Sequence, residues 1–534
     1  MSKHLHLTFS RQLSWQYTDN SIIWDNGTGD GVKLAKQLEA ELEHPEIELS
    51  AIAQLLRGGP DQFAIMIEIK SMLFAAVDHM RSVPLFYHFK NFRISDDPDW
   101  LLGEKILPSM FTRYSKYEFL LSGIVSGQDT LIEDVKQIQA GEFLLIDKRT
   151  KIFKTQRYFS QDYHISQRNL ESQDWIDLFD QTLNHTFEKL YQKVKDRPVM
   201  LPLSGGYDSR LLAYKLKEFG HTDMHAFTYE VKNMPEVNNA RRVAEHLGLK
   251  WNFVPYTRSM WYDWYHSQDR KDFFTYSMRY ASFGHSADFP AIKYLVDKDK
   301  IPENAVLIPG HALDATAGDT IPQAYFSDGK FDKAQVLNDI YAKFYDNWPE
   351  WKNQIDFKDY LDDKLACSLH LGENHYSGEE AANLWEDYND RERQAKYILN
   401  SLRVYEHFGF TWEIPFWEKG FFDFWKSVPM EQKKNRVLQM QYMAQKVNIP
   451  VPANPKKSIP ERLKYRMFAY WLGRFAGNKS LPLAWMSQVK DLNYTVKAPF
   501  INQKAYLYPA RVWGLYALSQ MEHYYSEALD NKTS

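Results

Sequence analysis

The chain of 534 residues has one cysteine, Cys367, no apolar run near membrane-spanning length, and no large excess of either charge sign. A single cysteine rules out an intrachain disulfide and fits a reducing compartment. The opening MSKHLHLTFSRQLSW lacks the continuous apolar stretch of a signal peptide, so a cytoplasmic protein without a transmembrane segment is expected. With 65 basic and 69 acidic residues the net charge is −4, which gives no basic footprint for nucleic acid. Internal repeats and low-complexity tracts are also absent. What remains is a globular chain long enough for more than one core, and unusually aromatic at 15%.

Changes of pattern divide the chain. Between residues 61 and 97 four short runs, FAIMIEI, MLFAAVD, PLFYHF and FRIS, read as strands, and GEFLLID and KIFKTQRYF add two more. Residues 160–196 turn polar and then helical, as a linker and lead-in helix would. A boundary near 165 is expected, giving domains of 1–165 and 166–534. The second half alternates: PVMLPL (198–203) as strand, a helix from Asp208 to Phe219 capped by Gly220, MHAFTYEV (224–231) as strand, and a helix over 235–247 ending at Gly248. WNFVPY (251–256) and AVLIPG (305–310) follow as strands. Such alternation predicts an α/β fold with parallel β-α-β units, and beyond about 330 the chain reads as mostly helical.

The stretch LPLSGGYDSRLLAYKLKEFG (201–220) joins a strand to a helix through two glycines. Gly205 and Gly206 allow close backbone approach, and the unpaired N–H groups of the first helical turn favour an anion. The loop lacks the Gly-Lys-Ser/Thr ending of a Walker A motif. Asp208 is the odd member, because a carboxylate repels phosphate. It can cap the helix, and a divalent cation can bridge it to the phosphates, as Mg²⁺ commonly does; both can hold at once.

With these motifs in place the chain resembles the asparagine synthetase-like enzymes and their N-type ATP-pyrophosphatase domain. LSGGYDS matches the pyrophosphate loop, PGHALDATAGD lies where the family has its second acidic element, and FGFTWEIPFWEKGFFDFWKSVP (408–429) resembles the Pro-Phe segment. The resemblance implies ATP and Mg²⁺, with Asp208 and Asp314 holding the metal and Ser204, Gly205, Gly206, Ser209 and Gly310 holding phosphate. It also implies a catalytic lysine in PANPKKSIP, assigned to Lys456 by its spacing to Ile459, with Lys457 beside it. Ala315 replaces the second acid of the family's pair, Thr411 replaces a glutamate and Glu413 an arginine; Glu413 is the candidate base. The N-terminal pieces DHMRSVPLFYH and TLIEDVKQIQAGEFLLID resemble the family's glutaminase domain, an Ntn-hydrolase-like αββα sandwich. Position 2 is Ser2 rather than cysteine, and no Asn-Gly-Glu segment is present.

The implied whole is a degenerate glutaminase-like domain ahead of a PP-loop (adenine nucleotide α-hydrolase-like) domain. The implied activity is that of an ATP-dependent amide-forming ligase, which adenylates a small-molecule, peptide or sugar carboxylate and transfers it to ammonia or an amine, without glutamine hydrolysis. A catalytically inactive scaffold or nucleotide-binding regulatory protein is the alternative. Four other features read first as structural: Glu230 as a solvent-facing strand end, with a ribose-binding acid as its alternative; His311 as a loop hydrogen-bonding group, with a phosphate contact as its alternative; GENHYSGEE (372–380) as no metal site; and the basic aromatic stretch 456–474 as a packed helix with a solvated edge, with contact to an anionic membrane surface as its alternative.

Overall fold

The computed structural model describes residues 4–8, 13–27, 29–103, 110–159, 170–232, 234–345, 355–372, 375–447 and 449. Ser2, Lys456, Lys457 and the stretch 456–474 lie outside the described residues.

Among the described residues the first half holds ten strands: β1 (Leu5–His6), β2 (Gln16–Tyr17), β3 (Ser21–Asp25), β4 (Phe63–Ile69), β5 (Met72–Val77), β6 (Phe86–His88), β7 (Arg93–Ser95), β8 (Val135–Gln137), β9 (Glu142–Asp147) and β10 (Ile152–Arg157). They form a six-stranded sheet, β10-β9-β5-β4-β3-β2, and a four-stranded sheet, β1-β7-β6-β8. The larger sheet is antiparallel throughout, with Ile65 facing Ala76 in the β4–β5 pair. Its inner strands look apolar without a break because both faces are covered. Phe63, Ile65 and Ile67 pack with Leu34, Leu38, Ile52 and Leu56 of the helices Asp30–Glu43 and Leu49–Arg57. Ala64 and Met66, pointing the other way, join Phe86, Ile94 and Val135 of the smaller sheet.

The helix Ser172–Val194 leads into the second half. Its strands are β11 (Val199–Pro202), β12 (Met224–Glu230), β13 (Lys250–Pro255), β14 (Val306–Leu307), β15 (Lys330–Phe331), β16 (Tyr376–Ser377) and β17 (Thr411–Trp412). Five of them make a parallel sheet in the order β13-β12-β11-β14-β17. The helices Tyr207–Glu218 and Pro235–Leu247 cross between β11, β12 and β13, and Gly248 ends the second of them in the left-handed conformation. Strand order reverses between β11 and β14, so the loops after these two strands lie side by side at the carboxyl edge. The described residues beyond 330 are mainly helical, apart from the pair β15–β16 and β17. No described helix is long and apolar enough to cross a membrane.

The two halves are bonded to one another by main chain as well as side chains. Val125 N donates to Ala281 O at 2.8 Å, Phe283 N to Gly123 O at 2.7 Å, and Leu131 N to Tyr280 O at 2.8 Å. Lys396 Nζ donates to the carbonyls of Val125 and Gly127, and His79 Nε2 bonds to Trp417 O at 2.8 Å.

Candidate functional site

β11 ends at Pro202 and the next helix begins at Tyr207, so the chain must turn within Leu203–Gly206. Gly205 makes the turn at φ 72°. A Cβ there would stand 2.8 Å from both Ala240 N and Asn239 Cβ, so glycine lets the loop press against the helix Pro235–Leu247. Gly206 is the N-cap, in extended conformation and without a side-chain cap, which leaves the first N–H groups of the helix facing the loop. The loop is braced by hydroxyls. Ser204 N donates to Ser209 Oγ at 3.3 Å, the two serine oxygens are 3.1 Å apart, and Gly206 N donates to Ser204 Oγ at 3.2 Å.

Asp208 lies in the first turn but makes no capping bond, so the capping alternative falls. Its Oδ1 accepts a 2.8 Å bond from Gln439 Nε2, and Arg436 Nη1 is 3.8 Å away. Burial, reinforced by the negative charge of Asp314, pushes the Asp208 carboxyl up to about 7. Asp314 lies in the first turn of the short helix Leu313–Thr316, and its Oδ1 accepts from Ala315 N at 2.9 Å. Gly310 closes the gap between the two loops: a Cβ on it would lie 3.1 Å from Ser209 N and 3.2 Å from Asp208 C. The site thus brings together Ser204, Gly205, Gly206, Asp208, Ser209, Gly310 and Asp314.

This arrangement suits a hydrated divalent cation carried by phosphate. Among the described residues no three His, Cys, Asp or Glu side chains form a metal cage. Mg²⁺ needs only one or two carboxylates when phosphate oxygens and waters complete its shell. Two interacting carboxylates, one of them driven toward protonation by burial, are what a cation would relieve.

Other sequence-derived candidates sit elsewhere. Glu413, just past β17, is buried; its carboxylate accepts a 2.8 Å bond from Asn26 Nδ2 and pairs with Lys193 Nζ at 3.3 Å. Its partners are therefore the lead-in helix and the N-terminal half, not the glycine loop. Thr411 pairs in register with Val306, which pairs with Val199, the first residue of β11. It therefore lies at the amino end of the sheet, where Arg197 Nη2 donates to its hydroxyl at 2.7 Å. Glu230 is buried rather than solvent-facing, with a carboxylate oxygen accepting from Val231 N at 2.6 Å. His311 Nε2 meets Ser401 Oγ at 2.9 Å, as a structural loop histidine would. In 372–380 Glu380 and Ser377 form a reciprocal capping box for the helix Gly378–Tyr388.

Three site residues escaped sequence reasoning: Asp319, Arg436 and Gln439. Asp319 N bonds to Asp314 O at 3.0 Å, and its carboxylate pairs with Arg436 Nε at 3.3 Å. Only the recurrence of aspartate in DATAGD hinted at it. Arg436 and Gln439 come from a distant helical segment whose residues carry no motif.

Residues 179–268 match the asparagine synthase family. The matched stretch contains the glycine loop and stops short of Asp314. No curated protein matches the chain. Among solved structures it is similar to an NH3-dependent NAD synthetase from Campylobacter jejuni subsp. jejuni NCTC 11168 in complex with the nitrate ion, at 16% identity and TM-score 0.21, over 40% of this chain and 93% of that one.

Proposed function

We propose that this protein is an ATP-dependent amide-forming ligase: it joins a substrate carboxylate to AMP, releases pyrophosphate, and passes the acyl group to ammonia or an amine. The carrying observation is that the glycine loop, an uncapped helix terminus and the two carboxylates Asp208 and Asp314 meet where the parallel sheet reverses its strand order. In this reading the second half is a PP-loop, adenine nucleotide α-hydrolase-like domain. The amides of Gly205 and Gly206 and the hydroxyls of Ser204 and Ser209 hold phosphate oxygens, with Gly310 keeping the second loop against them. Asp208 and Asp314 hold Mg²⁺, which when bound offsets the charge that develops as pyrophosphate leaves. Lys456 supplies a further positive charge to the same event. Fixing two reactants in contact and excluding water from the activated acyl group are the chain's remaining contributions.

The N-terminal half is read as a glutaminase-like αββα domain that has kept its layers and lost its chemistry. Ser2 stands where the thiol nucleophile belongs, and the oxyanion segment is missing, so nitrogen comes from free ammonia or an amine-bearing substrate. ATP–pyrophosphate exchange across a panel of small-molecule, peptide and sugar carboxylates, with glutamate release from glutamine measured alongside, tests both parts. Exchange without glutamate release supports the reading. Sustained glutamate release that disappears in Ser2→Ala restores a two-site amidotransferase.

A second reading, a catalytically inactive scaffold or nucleotide-binding regulatory protein, draws on Ala315 in place of the second acid and on the Arg436 guanidinium near Asp208. ATP binding without exchange for any carboxylate selects it.

A further inference from the structure

Arg436 is held in an unusual backbone state. It and Asn435 both adopt left-handed conformations, with φ of 58° and 53°, at a kink just before the helix Val437–Tyr442. Two consecutive non-glycine residues in that region cost free energy, and such strain gathers where the surroundings hold a side chain in place for function. The kink aims the guanidinium between two carboxylates from different loops: Nη1 lies 3.8 Å from Asp208 Oδ1 and Nε 3.3 Å from Asp319 Oδ1. The side chain is about one-fifth exposed and lies over the Tyr207 ring, 5.8 Å from its centroid. One turn further on, Gln439 is fully buried and donates Nε2 to the same Asp208 oxygen. Its Oε1, also buried, has no hydrogen-bond partner among the described residues. An orphaned buried acceptor beside a carboxylate is costly unless a donor arrives, and the water of a hydrated cation is such a donor.

We infer that Arg436 is an internal counter-cation that competes with a divalent metal for Asp208, so that the metal enters this site only by displacing the guanidinium. The inference rests on the metal-nucleotide reading of the site above. Asp208 cannot bond a metal and keep the full attraction of a guanidinium within 4 Å, since two cations sharing one carboxylate repel each other. Gln439, by contrast, has reason to stay: its amide steadies the carboxylate, and its free oxygen then acquires a donor. Metal binding to the nucleotide-free protein is held weak. The phosphates of a nucleotide pay for the displacement by giving the released guanidinium a new anionic partner.

The test is Mn²⁺ binding to the full chain, followed by electron paramagnetic resonance with and without ATP, in wild type, Arg436→Gln, Arg436→Lys and Asp208→Asn, with thermal unfolding as a check on folding. The inference expects Arg436→Gln to bind Mn²⁺ about tenfold more tightly than wild type without nucleotide, the scale of one partly buried ion pair. Arg436→Lys, which keeps the charge on a shorter arm, falls between the two and serves alone if the glutamine variant unfolds. Unchanged or weaker Mn²⁺ binding in the folded Arg436 variants, with binding lost in Asp208→Asn, overturns the counter-cation and leaves the metal site standing. Wild-type Mn²⁺ binding in Asp208→Asn, with and without ATP, overturns the metal reading itself.

Discussion

A methyl group on Gly310 would press on Ser209 N at 3.1 Å and on Asp208 C at 3.2 Å, both main-chain atoms with no rotamer to escape into. Gly310→Ala therefore acts on the loop that carries Asp208. It is expected to weaken ATP binding by about 1–3 kcal/mol, read by calorimetry, while unfolding shifts by less. Lys456 is tested differently, because its charge matters most as pyrophosphate departs. Lys456→Ala is expected to slow exchange more than it weakens ATP binding; equal losses, or an effect confined to Lys457→Ala, reject the assignment. At this scale the sequence was legible wherever a residue's chemistry was local. Ser204, Gly205, Gly206, Asp208 and Ser209 lie in one strand-loop-helix unit, and their order alone points to an anion site. Arg436 and Gln439 were not legible, since nothing in their own segment ties them to Asp208, 231 positions earlier for Gln439.

Elements were readable in proportion to how far their pattern was fixed by burial. β4, β5 and β9 stand out because both faces are covered, and the helix Pro235–Leu247 because Gly248 marks its end. The two-residue β17 gives no periodicity to read, yet it extends the parallel sheet and delivers Glu413 to Lys193 and Asn26. Those contacts make Glu413 a strut between the lead-in helix, the sheet edge and the N-terminal half. Burial raises its carboxyl above the usual range, and Lys193 draws it back down. Glu413→Gln is expected to lower stability by about 1–3 kcal/mol, measured by denaturant unfolding, with exchange retained in the folded protein. Exchange abolished at unchanged stability would return Glu413 to the role of base.

Across the whole molecule, the N-terminal half is joined to the second half through buried groups that pH can reach only by unfolding. His79 is one: burial lowers it to about 3, and its ring donates to Trp417 O when neutral. Its folded value lies below the unfolded value of 6.5, so the unfolded chain takes up the proton first. The stability His79 contributes is complete above pH 6.5 and is lost as pH falls toward about 3. At roughly 1.4 kcal/mol per pH unit, wild type is expected to lose about 2 kcal/mol more than His79→Asn between pH 6.5 and 5, read from unfolding curves of both proteins. Parallel curves would show that the ring is already protonated or exposed in the folded state.

The most direct test of the proposed activity is carboxylate-dependent ATP–pyrophosphate exchange in the presence of Mg²⁺, compared between wild type and Asp208→Asn. The substitution removes a charge and keeps the shape, so folding should be preserved, with stability above pH 7 equal to or greater than wild type because a buried anion has been relieved. The predicted result is exchange in wild type with at least one carboxylate and a loss of about a hundredfold or more in the variant. Equal exchange in the two proteins, at equal Mg²⁺ dependence, would contradict it.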